Sequence, residues 1–169
     1  MIKKALIIGY GSAGRRHAEI LESILGKENL LVLTNQKKIP YNSINSFDKI
    51  STFDPDYLVV SCETSKHFRY MQKIESSMRE KTVLIEKPLF NKKIKLVNLN
   101  NTYFVGYNLR FHPLINKLKE EISMGETIFS VDVICNSFLP KWRENISYIN
   151  SSSASKEKGG GVLLDLSHE

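Results

Sequence analysis

The chain has 169 residues, of which 41% are hydrophobic, and it carries a formal net charge of +6 at pH 7. This length suits one domain and part of another, since domains average roughly 100–200 residues. The basic residues are scattered among acidic ones without an aromatic–basic pattern, and no apolar run approaches the ~20 residues of a membrane span, so we expect neither a nucleic-acid partner nor a membrane.

Cysteine usage and the amino terminus favour the cytoplasm. Cys62 and Cys135 lie far apart and have neither metal-ligand nor disulfide spacing, so each is most simply a small buried hydrophobe. The first apolar run is short and is followed by Arg15, whereas a secretory signal would need more hydrophobic residues there. We therefore expect a cytoplasmic protein without a metal site.

Apolar runs alternate with helical patterns through the first hundred residues. The predicted strands cover 5–8, 30–33, 56–61, 82–85 and 102–106. The predicted helices cover 12–25 and 65–78. Continuous apolar strands that alternate with helices are typical of a parallel sheet covered on both faces. The sequence thus predicts an α/β fold, with a doubly wound parallel sheet over residues 1–106.

The pattern changes after Gly106. Residues 111–121 predict a further helix. Its inward-facing residues would be Leu114, Ile115 and Leu118. Residues 127–136 alternate as a half-exposed antiparallel strand does, and a polar, serine-rich loop follows them. We therefore expect a second domain over residues 107–169.

A Gly-x-Gly-x-x-Gly pattern follows the first predicted strand. Gly9 permits a tight turn, Gly11 lets the backbone approach a pyrophosphate, and Gly14 lets helix and strand pack closely. The amides that open the helix, with Ser12 and Ala13 among them, then face the negative charge. A plain glycine turn is the alternative, but the place of the pattern between a strand and a helix favours dinucleotide binding.

The segment after the second predicted strand bears on which dinucleotide is bound. NAD-selective folds place a carboxylate there for the ribose diol, but residues 33–38 contain none. Asn35 stands at the corresponding position and Lys37 and Lys38 follow, so a 2′-phosphate would be tolerated. The sequence therefore leans towards NADP over NAD, with solvated loop charge as the alternative interpretation of the two lysines.

Glu86, Lys87 and Pro88 stand at the carboxyl end of a predicted strand, where ligands bind in open parallel sheets. A lysine there would lie beside the nicotinamide, where an amine can exchange a proton with a reacting group. The proline fixes the turn that follows. On spacing alone, an ordinary surface lysine is an equal alternative.

Together these motifs resemble the glucose–fructose oxidoreductase and inositol dehydrogenase family (Gfo/Idh/MocA). The resemblance covers essentially the whole chain. It rests on the order and spacing of five segments, at 9–17, 62–67, 86–89, 106–113 and 159–169. It implies a Rossmann domain followed by an α/β domain whose open sheet covers the active site and often forms the oligomer interface. It also implies hydride transfer between a sugar-like carbon and C4 of the nicotinamide of NAD or NADP.

The resemblance also implies roles for single residues. Lys87 would lie near nicotinamide and substrate, while Asp165 and His168 would position the substrate and relay its hydroxyl proton. The implied cofactor-binding residues beyond the glycine turn are Thr64, Ser65, His67, Glu86, Lys87 and Asn108. Many members separate the aspartate and histidine by four positions rather than three, but both spacings keep them on one helical face. A place at the helix surface or cap is the alternative for both.

One segment resembles a subgroup of this family that is associated with surface-polysaccharide and nucleotide-sugar pathways. It contains Trp142, Arg143 and Tyr148. Trp142 would stack on a sugar, and Arg143 would bind a carboxylate or phosphate. The subgroup's usual acid and arginine around the tyrosine are Ser147 and Ile149 here, and simple packing is the alternative for Trp142. The expected substrate is a sugar or nucleotide sugar.

The second domain of the family would continue well beyond Glu169. We therefore expect a fragment or truncated form of an NAD(P)-dependent sugar or nucleotide-sugar oxidoreductase. For its complete form, a homo-oligomer is one of the expected assembly states. The alternative is a non-catalytic protein of the same origin, which binds a dinucleotide or pairs with a partner through its unfinished sheet.

Overall fold

The computed structural model describes residues 1–50, 52–125, 127–142 and 147–167. Its centre is a six-stranded sheet in the order β3-β2-β1-β4-β5-β6, in which all pairings are parallel. The strands are β1 (Ala5–Ile8), β2 (Leu30–Leu33), β3 (Asn42–Ile44), β4 (Tyr57–Val60), β5 (Thr82–Ile85) and β6 (Thr102–Val105). The helices are α1 (Ser12–Leu25), α2 (Thr64–Ser77), α3 (Pro113–Ser123) and α4 (Val162–Leu166).

The inner strands are buried along their whole length. β1 and β2 carry only apolar residues, all of them buried, because both faces of the sheet are covered there. One face packs around Leu6, Leu58 and Ile85, and the other packs around Ile7 and Val59. The two core clusters confirm the predicted parallel α/β sheet, and the predicted strands and helices of the first 106 residues are all present, with ends that agree within one residue.

The strand order places a crevice at β1. The chain leaves β1 through α1 towards β2 and β3, and then returns to build β4, β5 and β6 on the opposite side. Ligands of open α/β sheets bind at the carboxyl ends of the strands at such a reversal. The fold therefore brings the segments that follow β1, β4 and β5 to one edge of the sheet.

One strand was not predicted from the sequence. β3 has only three residues, its first two are exposed, and it pairs with β2 alone at the edge of the sheet. Its sequence, Asn-Ser-Ile, lacks the apolar run that identifies the inner strands. An edge strand with one covered side gives no such signal, because little of it is buried.

The prediction for residues 127–136 was wrong, because the structure shows no strand there. A strand needs a neighbour for its backbone hydrogen bonds, and after β6 the described residues form no second strand for this segment. Helix α3 is present, at Pro113–Ser123. The prediction that its apolar residues turn inward was also wrong, since Leu114 is 70% exposed and Leu118 is 52% exposed; Ile115 is exposed as well. Nothing in the described part of the chain packs over them.

The segment 147–167 returns to the sheet domain. Ser65, in the first turn of α2, donates its backbone N–H to the Lys158 carbonyl at 3.3 Å. A Cβ on Gly159 would lie 2.8 Å from the Cβ of Thr64, so only glycine allows this approach. This contact places the glycine run of residues 159–161 against the start of α2.

No helix within the described ranges is long and apolar enough to cross a membrane. The same ranges contain no group of three or more His, Cys, Asp or Glu side chains arranged to hold a metal ion.

Candidate functional site

The glycine turn joins β1 to α1. Gly9 has a φ of +97°, and a Cβ there would lie 2.7 Å from the Cα of Cys62, so the position requires glycine. A Cβ on Gly14 would collide with the Gly9 carbonyl oxygen and lie 2.9 Å from Ser61 Oγ. Gly11 differs from both, because no atom beyond its own chain neighbours lies within 4 Å of its Cβ position. The turn is therefore closed on the sheet side and open at Gly11.

The amino end of α1 is free to bind an anion. No described side chain caps this helix, and its first turn contains no acidic residue. The first N–H groups of a helix have no intrahelical partners, and the helix dipole adds partial positive charge there. Gly11 and Ser12 are exposed, so a phosphate can reach these amides.

A cavity of about 610 Å³ continues from this turn along the sheet. Ser12 and Ala13 line it, and so do Lys87 and Asn108. Its remaining wall includes Arg16, His17, Tyr57, Leu84, Phe104 and Phe111. The helix start is predicted to bind the cofactor, and Lys87 is predicted to act in catalysis. The structure brings both to one cavity. The Lys87–Pro88 peptide bond is cis.

Glu86 links β5 to α1 inside this cavity. Its Oε1 lies 2.7 Å from Nε2 of His17, and its Oε2 accepts the backbone N–H of Lys87 at 3.2 Å. Burial raises the pKa of the Glu86 carboxyl. The hydrogen bond and charge of His17 and the N–H of Lys87 lower this pKa by more than burial raises it, so the net pKa lies below the usual value. Glu86 is thus an anion beside Lys87, and it accepts hydrogen bonds from two elements of the site.

His67, predicted near the cofactor, lies beneath the loop that follows Glu86. The residue is only 1% exposed. Nδ1 lies 3.2 Å from the Pro88 carbonyl oxygen and 3.1 Å from that of Leu89, and Nε2 lies 3.1 Å from that of Cys62. The ring therefore connects the end of β4 to the end of β5, with backbone carbonyls on both of its nitrogens.

The start of α2 is partly covered. Thr64 and Ser65, predicted to border the cofactor, contact Gly159 and the Lys158 carbonyl. Both residues remain partly exposed. They lie at the carboxyl edge of the sheet, where the chain leaves β4, but they do not line the cavity that holds Lys87.

Three of the other predicted catalytic and substrate residues lie away from this cavity. Asp165 accepts the N–H of Gly161 at 3.0 Å and the hydroxyl of Ser153 at 3.3 Å, so its carboxylate holds the turn before α4. Trp142 donates its indole N–H to Ser137, and Tyr148 is 41% exposed. Among the described residues, these three do not contribute to the wall of the Lys87 cavity. The other two predicted residues, Arg143 and His168, lie outside the described residues.

The end of β2 carries the residues predicted to select the dinucleotide. Asn35 is exposed there, as are Lys37 and Lys38. Sequence reasoning gave no role to Arg15, which reaches the same place from α1 and donates to Oε1 of Gln36 at 3.4 Å. It gave none to the His17–Glu86 contact either. The two residues of each pair are 21 and 69 positions apart in the chain, so no local pattern reveals either contact.

A nicotinamide dinucleotide fits the groups present. The open space at Gly11 leaves the helix amides accessible to a pyrophosphate, whereas a side chain at this position would fill that space. The cavity beyond it has the volume and mostly apolar wall of a small-molecule site, with a few polar groups from Glu86, Lys87 and Asn108. The amides at the start of α1 would hold the pyrophosphate. Glu86, Lys87 and Asn108 would face the nicotinamide end.

The chain matches no protein-family model, and no curated protein matches it at a significant level. It is similar in structure to an NAD-binding protein from Listeria innocua, with a TM-score of 0.64 and 18% identity over 96% of this chain and 51% of that one. It is also similar to myo-inositol dehydrogenase from Lactobacillus casei in complex with NAD(H) and myo-inositol, with a TM-score of 0.57 and 20% identity over 74% and 42%.

A third similar structure is UDP-N-acetylglucosamine 3-dehydrogenase from Acidithiobacillus ferrooxidans, with a TM-score of 0.51 and 20% identity over 70% of this chain and 42% of that one. The chain thus spans about half or less of the length of these three proteins. At such identities the likeness shows the fold. The Rossmann-type α/β fold predicted from the sequence is confirmed.

Proposed function

We propose that this chain is the cofactor-binding part of an NAD(P)-dependent oxidoreductase of the Gfo/Idh/MocA family, acting on a hydroxyl or carbonyl group of a sugar or nucleotide sugar. One observation carries the proposal. Ser12 and Ala13, at the open amino end of α1, and Lys87 line the same cavity. A dinucleotide with its pyrophosphate at Gly11 would therefore extend towards an amine that can exchange a proton.

The proposed chemistry divides between the cofactor and the chain. When bound, the nicotinamide supplies a hydride acceptor or donor. The α1 amides bind the pyrophosphate, and Lys87 binds the reacting substrate oxygen and transfers its proton. Glu86 holds the backbone of Lys87 through its N–H, and His17 fixes Glu86 in turn. This arrangement supports the proposal that Lys87 transfers the proton beside a cofactor bound at the Gly11 turn.

The remaining assignments rest on the sequence resemblance. Asp165 and His168 would join Lys87 in proton transfer, and Trp142, Arg143 and Tyr148 would contact the sugar. Residues 1–106 would form the cofactor domain and residues 107–169 the start of a substrate domain. A role in surface-polysaccharide biosynthesis, a cytoplasmic location and a homo-oligomeric complete form are part of the same proposal.

The first test is dinucleotide binding. NADH and NADPH are titrated into the purified chain and nicotinamide fluorescence is followed, with Gly11→Asp as the variant. The space around Gly11 accommodates the new side chain, so the variant should fold, while its charge at the helix start should weaken binding more than tenfold. Ser23→Asp adds the same charge at an exposed position near the other end of α1 and should bind as the wild type does.

Saturable binding that Gly11→Asp weakens more than tenfold and Ser23→Asp leaves unchanged would support the proposal. Absence of binding by a folded wild-type chain, shown by its circular dichroism, would refute it.

A second candidate function is dinucleotide binding without turnover. The position of Asp165 favours it, since its carboxylate is engaged with Gly161 and Ser153 rather than placed in the Lys87 cavity. Reduction of NAD(P) in the presence of inositols, sugars and nucleotide sugars distinguishes the two. Turnover that is lost in Lys87→Met while the variant still binds NADH supports the oxidoreductase, and tight binding by the wild type with no turnover supports the second candidate.

A further inference from the structure

Arg15 and its neighbours form a cationic corner at the carboxyl end of β2. Arg15 lies on the first turns of α1 and is exposed. Its guanidinium lies 5.5 Å from the centre of the Tyr10 ring and donates through Nη2 to Oε1 of Gln36 at 3.4 Å. These contacts hold a cation from α1 over the segment that follows β2.

Gln36 fixes the orientation of this corner. Its Nε2 donates to the Tyr10 carbonyl at 2.7 Å, and its backbone N–H donates to Oγ1 of Thr34 at 3.1 Å. With the amide nitrogen committed to Tyr10, the amide oxygen points at Arg15. The corner is therefore built from three segments: the glycine turn, α1 and the end of β2.

The charge of the corner is not neutralised. Throughout the ranges that the structure describes, no carboxylate oxygen lies within 4.0 Å of the Arg15 guanidinium. Lys37 and Lys38 add two exposed cations to the same stretch of chain. The nearby acid Glu22 accepts the hydroxyl of Tyr41 at 2.7 Å, and Glu19 lies one helical turn beyond Arg15. Three cations thus border the place where a Rossmann fold usually presents an acid.

We propose that Arg15 is a specificity-determining residue that binds the 2′-phosphate of NADP. This inference rests on the proposed function, since it concerns the ribose end of the same dinucleotide site. An adenosine ribose bound beyond the Gly11 turn lies at the end of the second strand, about 20 residues after the glycine pattern. Its 2′-phosphate would meet a guanidinium, whose planar set of donors matches phosphate oxygens.

The experiment compares dinucleotides and their fragments in Arg15→Ala, Asn35→Asp and the wild type. The ligands are NADPH, NADH, 2′,5′-ADP and 5′-AMP, and the fragments report on the ribose end without the nicotinamide. The wild type should bind NADPH and 2′,5′-ADP at least about tenfold more tightly than NADH and 5′-AMP, as expected for charge-assisted hydrogen bonds.

Arg15→Ala should weaken NADPH and 2′,5′-ADP by about tenfold and leave NADH within twofold. Asn35→Asp is nearly isosteric at an exposed position and places a carboxylate opposite the ribose, so it should reverse the preference towards NADH. Arg69→Ala, which removes an exposed arginine of α2, is the control and should change no affinity.

The outcomes separate the two levels of proposal. Equal affinity of the wild type for NADPH and NADH, or equal weakening of both by Arg15→Ala, would overturn the role of Arg15 while leaving dinucleotide binding intact. If neither dinucleotide nor fragment binds the folded chain, the role of Arg15 and the proposed function fail together.

Discussion

At the scale of single residues, His67 shows how a buried polar group can position a site. Among the described residues, its three hydrogen-bonding neighbours are all backbone carbonyls, which only accept hydrogen bonds. A neutral imidazole has one N–H, so it donates either towards Pro88 and Leu89 or towards Cys62. Burial lowers the pKa of His67, and this outweighs the opposite effect of the carbonyls. The ring is therefore neutral at pH 7 and joins the end of β4 to the Lys87 loop.

The lowered pKa of His67 predicts a loss of stability in mild acid. The unfolded chain binds a proton near the ordinary value of 6.5, whereas the folded chain resists it. The contribution is therefore complete above pH 6.5 and is lost as pH falls below it, with a slope of at most about 1.4 kcal/mol per pH unit. Urea unfolding of the wild type and His67→Asn between pH 5 and 8 measures this slope.

His67→Asn keeps an amide donor close to the position of Nδ1 but does not titrate, so its unfolding free energy should change less over this range. His112→Asn alters an exposed histidine and should retain the wild-type slope. Parallel pH profiles for His67→Asn and the wild type would contradict the assignment of a neutral, buried ring.

At the scale of elements, Glu75 joins α2 to β6. Its carboxylate accepts the backbone and side-chain N–H groups of Asn100, the side chain of Asn101 and the hydroxyl of Tyr103, at 2.7–3.0 Å. β6 is an edge strand with alternate residues exposed, so it has little apolar burial of its own. These hydrogen bonds hold β6 at the edge, and Gly106 and the Lys87 cavity follow directly from it.

Replacement of Glu75 should loosen this edge in a pH-dependent way. Burial raises the pKa of its carboxyl, but the hydrogen bonds of Asn100, Asn101 and Tyr103 lower it more, to about 2 from 4.5. The stabilisation is therefore present above pH 4.5 and is lost as pH falls from 4.5 towards 2. A shift of this size corresponds to about 3 kcal/mol, which partial exposure reduces to about 2 kcal/mol.

Glu75→Gln should lower the free energy of unfolding by about 2 kcal/mol at pH 7 and flatten its dependence on pH below 4.5. Chemical denaturation between pH 3 and 7 measures both effects. Glu120→Gln, at an exposed position of α3, is the matched control and should behave as the wild type. Equal stability of the two variants at pH 7 would show that Glu75 does not hold β6.

At the scale of the whole molecule, the sequence predicts the fold of residues 1–106, where the buried strands are continuous apolar segments. The apolar runs of β1, β2, β4 and β5 and the glycine turn identify the sheet and the cofactor edge because each is a continuous segment. The contacts of Arg15 with Gln36 and of His17 with Glu86 join distant segments, and no local pattern predicts them. Residues 127–136 alternate as a strand does, but alternation without a neighbouring strand does not form one.

The difference in burial between the sheet and the residues after Gly106 predicts two levels of local stability along the chain. In the sheet, most residues of β1, β4 and β5 are buried, and local opening there approaches global unfolding. After Gly106, the described residues that are buried are only Ser151, Gly159 and Gly160. Helix α3 therefore depends on its own hydrogen bonds, and isolated helices of its 11 residues are marginal in water.

Amide hydrogen exchange followed by mass spectrometry on the whole chain measures this difference. Peptides from β1, β4 and β5 should exchange most slowly, and those from α3 and from residues 127–138 should exchange within seconds at pH 7. Helix α2 serves as the internal comparison, because it packs Met71 and Ile74 into the core and should be protected. Protection of α3 equal to that of α2 would contradict the prediction, because it would mean that the exposed apolar face of α3 is covered in solution.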